Sequence, residues 1–95
     1  TQIEEVLLQI PEIGPHYEIL VERKNRLDVM TITVELVDDR LLDSYKKLSE
    51  LEQKIKKGLK AQLGLATQIK LVAPYSLQRF EGKAKRVTDL RKDGL

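Results

Sequence analysis

Ile3, Val6, Leu7 and Ile10 recur at intervals of three and four, the period of one face of an α-helix. Thr1, with Glu4 three residues later, has the form of a capping box, so the chain is predicted to open with a short amphipathic helix. Pro11 closes it, because proline donates no hydrogen bond and clashes with the preceding turn. The segment Pro11-Glu12-Ile13-Gly14-Pro15 then predicts a turn, with His16 in the same connection. Tyr17 to Glu22 and Leu27 to Leu36 are rich in β-branched and apolar residues and read as two strands, joined by a hairpin turn in Arg23-Lys24-Asn25-Arg26. In the second strand Met30, Ile32, Val34 and Leu36 alternate with Val29, Thr31, Thr33 and Glu35. The first set should face the core and the second should line a wet face.

Val37-Asp38-Asp39-Arg40 interrupts the alternation with charge. Asp38 and Asp39 have the look of a paired acidic site, but at this place they read as loop or helix-start carboxylates. From Leu41 to Leu63 the apolar positions Leu41, Tyr45, Leu48, Leu51, Ile55, Leu59 and Leu63 are spaced by three or four, which predicts one long helix. That stripe lasts only about three heptads and contains Gly58, so it reads as packing against a sheet and not as a coiled-coil seam. Gly64 stands where a helix-ending glycine belongs, and Thr67 to Val72 reads as a third strand terminated by Pro74. A helix between the second and third strands returns the chain parallel to its earlier strand. The expected fold class is therefore α+β: a small two-layer sandwich, with a short mixed sheet of about three strands packed against helices.

Composition narrows the chemistry. Ninety-five residues, 41% hydrophobic and 34% charged, make one ordered domain with room for a single core. The absence of cysteine excludes a disulfide framework, a thiolate nucleophile and a cysteine zinc site, and fits a reducing cytoplasm. The lone His16 has no histidine partner for a metal, so no metal site is expected and it is assigned no role. No apolar run is long enough for a membrane span, and the acidic start Thr1 to Leu8 has the wrong charge for a secretory signal. The chain begins mid-pattern at Thr1 and not at methionine, which suggests a processed product or a fragment of a longer protein, and the fragment is the favoured reading.

Charge is informative when divided. Residues 1–40 carry four basic and nine acidic residues, net −5, and residues 41–95 carry thirteen and six, net +7. Arg79 to Lys92 alone holds six basic and two acidic residues, a segment able to attract a phosphate-bearing partner. At its centre stands Gly82-Lys83. Glycine permits a turn or a close approach, and lysine carries a compact charge on a long stem that can reach a phosphate or carboxylate. A P-loop is excluded, because Ala84 follows Lys83 where Ser or Thr is required.

The wider pattern Gly82-Lys83-Ala84-Lys85-Arg86, preceded by Pro74, resembles the last core motif of the adenylate-forming acyl-CoA synthetase superfamily. Gln2-Ile3-Glu4-Glu5-Val6-Leu7, Pro11-Glu12-Ile13-Gly14-Pro15-His16-Tyr17 and Arg79 through Arg91 together resemble the carboxy-terminal domain of the bacterial phenylacetate-CoA ligases, and the resemblance spans essentially all 95 residues. It implies that residues 1–95 are a single C-terminal lid domain, a fragment of a ligase whose N-terminal adenylation domain lies upstream. That ligase would join an aryl acid, phenylacetate foremost, to ATP as an acyl-adenylate and then pass the acyl group to coenzyme A. ATP with magnesium and coenzyme A would be substrates of the whole enzyme, none bound tightly by the lid alone, and the fragment alone would be inactive. Lys83 is implied as the catalytic lysine, with Gly82 and Arg86 in the same substrate and nucleotide loop. Phe80 departs from the pattern, standing where the family commonly has a small hydroxylated residue. The implied partner is the chain's own adenylation domain, with homodimer contacts open in the intact enzyme.

Two other readings compete. A stand-alone small-ligand or regulatory module would suit a small α+β sandwich but leaves the Gly82 motif unexplained. An RNA-binding module would suit the basic tail, yet Tyr17, Tyr45, Tyr75 and Phe80 are the only aromatics and no strand pairs them into a stacking platform, so neither nucleic acid nor membrane is expected as a partner.

Overall fold

In a computed structural model the described residues are 2–64, 66–77 and 87–90. Helix α1 (Gln2–Leu8) leads into strand β1 (Ile13–Lys24), which turns back as β2 (Leu27–Leu36). A 3-10 turn (Asp39–Asp43), helix α2 (Tyr45–Leu63), and strands β3 (Gln68–Val72) and β4 (Val87–Asp89) follow. The sheet order is β3-β2-β1-β4, with β1 and β2 antiparallel and each outer strand parallel to its neighbour. The α+β sandwich with a mixed sheet is as expected, with four strands in place of about three. The fourth lies in what the sequence presented as a basic tail. The capping role of Thr1 falls outside the described residues.

The two central strands meet at a tighter turn than the four polar residues predicted. Asn25 and Arg26 both take positive φ, 51° and 66°, the backbone of a two-residue hairpin turn whose twist matches the flanking strands. Arg23 and Lys24 consequently belong to β1, and Arg23 Nε donates to Asp28 Oδ1 at 3.1 Å across the end of the hairpin. At its other end β1 starts at Ile13, inside the segment that two prolines and a glycine marked as a turn. The register is irregular between Ile13 and Tyr17, and such a break accommodates Pro15, which has no N–H for the ladder. His16 therefore lies in the strand and not in a connection.

One face of the sheet is apolar. Tyr17 and Ile19 of β1 lie opposite Val34 and Ile32, which in turn lie beside Leu71 and Ile69 of β3. The alternation read from β2 holds for its core set: Ile32 and Val34 are fully buried, Leu36 nearly so, and Met30 packs partly buried against them. Over this face α2 lays Leu51, Ile55 and Leu59, also buried, and α1 adds Val6 and Leu7, with Ile10 just beyond its end. Tyr17 fixes α1 to the sheet by donating its hydroxyl proton to Glu4 Oε1 at 3.0 Å.

The single helix expected from Leu41 is divided. Asp38 accepts the backbone N–H of Arg40 at 2.9 Å and starts the 3-10 turn, which ends at Ser44. Ser44 has extended backbone angles, and its hydroxyl accepts the Lys47 N–H at 3.3 Å, so α2 begins at Tyr45. Leu41 and Tyr45 thus do not share one helical face. Leu41 packs partly on the core, whereas Tyr45 is 87% exposed and is not part of the buried stripe. Gly64 closes α2 at φ 68°, its N–H reaching the Lys60 carbonyl at 2.8 Å.

Gly58 sits where α2 passes closest to α1: a Cβ built there would lie 2.9 Å from Val6 Cγ1, inside van der Waals contact. At an open helical site Gly→Ala would stabilise by about 1 kcal/mol. In this chain Gly58→Ala is expected to give no gain in urea unfolding, and to give a gain of about 1 kcal/mol when introduced into Val6→Ala. A gain in both backgrounds would show that the helices separate freely.

Asp38 carries the other testable feature. Side-chain and backbone hydrogen bonds from Arg40 lower its carboxyl from 3.8 to about 2. Because the folded value lies below the unfolded one, the stabilisation is present above about pH 4 and is lost as pH falls through about 2. Asp38→Asn keeps a capping oxygen and removes the charge. Its stability deficit against the parent is expected at pH 5 and should disappear toward pH 2. A deficit that persists at low pH would assign the effect to the cap and not the charge.

Candidate functional site

The Gly82-Lys83 segment enters the structure through its two attachments. Gly82, Lys83 and Arg86 lie outside the described residues, as do Phe80 and Lys85. Residues 78–86 are nine positions with Gly82 at the middle, preceded by the described residues 73–77 and followed by 87–90.

On the upstream side, β3 ends at Val72, level with Glu35 of β2. Ala73-Pro74-Tyr75-Ser76 then forms a turn in which the Ser76 N–H reaches the Ala73 carbonyl at 3.3 Å. Proline presets the first central position of such a turn, and Tyr75 takes the second with φ 64°, where glycine is the comfortable residue. A side chain in this conformation costs on the order of 1 kcal/mol. Burial does not offset it, since Tyr75 is 86% exposed. Immediately after the turn, the backbone N–H of Leu77 donates to Glu35 Oε2 at 2.8 Å.

On the downstream side, Val87, Thr88 and Asp89 pair in parallel with Ile19, Leu20 and Val21 of β1, and the Leu90 N–H reaches the Val21 carbonyl at 2.7 Å. β4 is short, and all three of its residues are exposed. It owes its strand conformation to β1 and not to any period of its own. The segment that carries Lys83 is therefore bounded by one attachment on β2, through Glu35, and one on β1, through Val87. These are neighbouring central strands of the sheet.

Glu35 is the residue that sequence reasoning missed. Alternation places it with Thr31 and Thr33 on the face away from the helices, and there Thr31 Oγ1 lies 3.4 Å from Gln68 Oε1 in solvent. Glu35 nonetheless retains only 3% of its exposure, a buried carboxylate on the wet face. Leu77, whose N–H it accepts, is 42 positions away along the chain, so no local pattern announces the contact.

The other sequence features fall into structural roles. Asp38 caps the 3-10 turn and pairs with Arg40 at 2.7 Å, in keeping with the reading of these carboxylates as helix-start residues. Lys56 pairs with Glu52 one turn earlier on α2 at 3.1 Å, an exposed pair worth little to stability. Among the described residues, no group of three or more His, Cys, Asp or Glu side chains is arranged to hold a metal ion, and no helix is long and apolar enough to cross a membrane.

Comparison with known proteins bears on the whole arrangement. The family model described as the AMP-binding enzyme C-terminal domain matches residues 1–91. A phenylacetate-coenzyme A ligase of Thermus thermophilus is 35% identical over 97% of this chain, which covers 24% of that protein. The chain thus spans about a quarter of the length of this curated relative. A crystal structure of a domain of phenylacetate-coenzyme A ligase from Bacteroides vulgatus superposes with a TM-score of 0.85 at 38% identity, over 97% of this chain and 83% of that one. A 2-hydroxyisobutyryl-CoA ligase, solved with 2-HIB-AMP and CoA in the thioesterification state, gives a TM-score of 0.84 at 27% identity, over 95% of this chain and 19% of that one. The mixed four-stranded sheet, the likeness to these ligases and the match through residue 91 all lead to one assignment: the chain belongs to the AMP-binding enzyme C-terminal domain family.

Proposed function

We propose that this chain is the mobile C-terminal lid of an ATP-dependent acyl-CoA ligase that acts on an aryl acid, phenylacetate foremost, and that its adenylation domain precedes Thr1. The observation that carries the reading is the family match over residues 1–91, which includes the Gly82-Lys83 segment. Its support in length is that phenylacetate-CoA ligases are matched only over about a fifth to a quarter of their chains. The relative solved with an acyl-adenylate and CoA supports a two-step reaction.

In the first step the acid's carboxylate attacks the α-phosphorus of ATP, forming the acyl-adenylate and releasing pyrophosphate. In the second, the thiol of coenzyme A attacks the acyl carbon and AMP leaves. ATP enters as its magnesium complex, and the ion arrives with that substrate. Lys83 contributes an ammonium group on a flexible four-carbon stem. A fixed positive charge near the α-phosphate stabilises the negative charge that redistributes during attack, and it holds the carboxylate in line. Gly82 gives the backbone freedom to bring Lys83 in, and Arg86 closes the matched motif in the same loop. The lid supplies a cation and no acid pocket, so the fragment alone is inactive. The cysteine-free composition suits a cytoplasmic enzyme.

The test is made in the complete ligase. Lys83→Ala is expected to slow pyrophosphate release by at least about tenfold, each tenfold corresponding to about 1.4 kcal/mol of barrier. Thioester formation from supplied acyl-adenylate and coenzyme A should survive. Pyrophosphate release at the parent rate would remove Lys83 from the mechanism.

A further inference from the structure

We propose that Glu35 is a positioning residue for adenylation: its buried carboxylate is the seat that fixes the start of the Lys83 segment on the sheet. The inference rests on the lid reading for its catalytic consequence, but the seat itself stands on geometry.

Three observations lead to it. First, Glu35 is almost fully buried on the face of the sheet away from α1 and α2. Its neighbours on β2 along that face, Thr31 and Thr33, are only half-buried. Burying a carboxylate is unfavourable unless it is hydrogen-bonded, so this side chain is a poor choice for stability alone. Second, the carboxylate accepts the Leu77 N–H at 2.8 Å, within the range of a strong charge-assisted bond. Leu77 is the last described residue before the segment, six positions ahead of Lys83. Third, the Pro74–Tyr75 turn that delivers Leu77 to this bond holds Tyr75 in a left-handed conformation. Strained backbone of this kind persists where its surroundings over-determine it. The turn and the carboxylate together fix where the chain leaves the sheet.

The segment beyond Leu77 is cationic: residues 78–86 carry Arg79, Lys83, Lys85 and Arg86 against Glu81 alone. A fixed anion at its root favours that composition, and the position of that root sets the ground the lysine, six positions on, can reach. Displacing a reacting group by about 1 Å can lower a rate by two orders of magnitude. Glu35 acts through Lys83 and touches no substrate.

The test has two arms. In the 95-residue chain, amide hydrogen exchange at Leu77 is measured for the parent, Glu35→Gln and Glu35→Ala. Protection of Leu77 is expected to fall by about tenfold or more in Glu35→Ala and to be largely kept in Glu35→Gln, whose amide oxygen can accept the same bond. In the complete ligase, Glu35→Ala is expected to slow pyrophosphate release by about tenfold, with thioester formation from preformed acyl-adenylate held within about threefold and Glu35→Gln recovering most of the loss. Unchanged Leu77 protection in Glu35→Ala overturns the seat. Lost protection with equal losses in both half-reactions overturns the positioning role and leaves Glu35 a stability residue. If Lys83→Ala leaves adenylation intact, the lid reading fails and the positioning role fails with it, whatever Leu77 reports.

Discussion

A sheet with one apolar face is stable in water only when that face is covered, and here the covering element is α2. Leu51, Ile55 and Leu59 meet Ile32, Val34 and Leu36 across the layer, and Ile32, Val34, Ile55 and Leu59 retain no exposed surface. Each such side chain contributes about 1.5–3 kcal/mol of burial. Everything else follows from this contact. It places α2 on one side only, makes the β2–α2–β3 connection a crossover with parallel strands, and leaves the opposite face of the sheet, among the described residues, without a helix.

The two faces consequently serve different ends. The helical side carries the apolar core, and the opposite side carries Glu35, which receives the Leu77 N–H after the chain leaves β3. The uneven distribution of charge matches this division. The acidic first forty residues form the hairpin platform, and the basic remainder supplies α2 and the Lys83 segment. A positively charged segment therefore starts from a negatively charged support, an arrangement that a net charge of +2 conceals.

Periodicity was sufficient wherever one face of an element is buried and the element is long. β2, the body of α2 and most of α1 follow from spacing alone, because burial of every second residue, or of every third and fourth, writes itself into the residue order. The failures share a cause. β4 is three residues long and exists by pairing with Ile19 to Val21, a partner more than sixty residues earlier in the chain that no window reveals. The start of β1 was hidden by Gly14 and Pro15, which the strand tolerates at a break in register. Tyr45 fitted the apolar stripe numerically, but Ser44 resets the helix one residue before it. The site divides in the same way: Lys83 and its neighbours were legible as a motif, whereas Glu35 looked like an ordinary solvent-facing strand residue. Its burial comes from a contact made only when the fold is complete.

β4 has a wider consequence. It joins the sheet at an edge through three exposed residues, beside β1 and not beside β2. Local opening free energies in proteins range from near zero at such margins up to the full unfolding free energy in the core. Detaching β4 would part it from Ile19 to Val21 of β1 and leave the pairing of β1 with β2 and of β2 with β3 in place. The fold thus keeps its least anchored strand at its margin, where an excursion costs least and the other three strands stay joined.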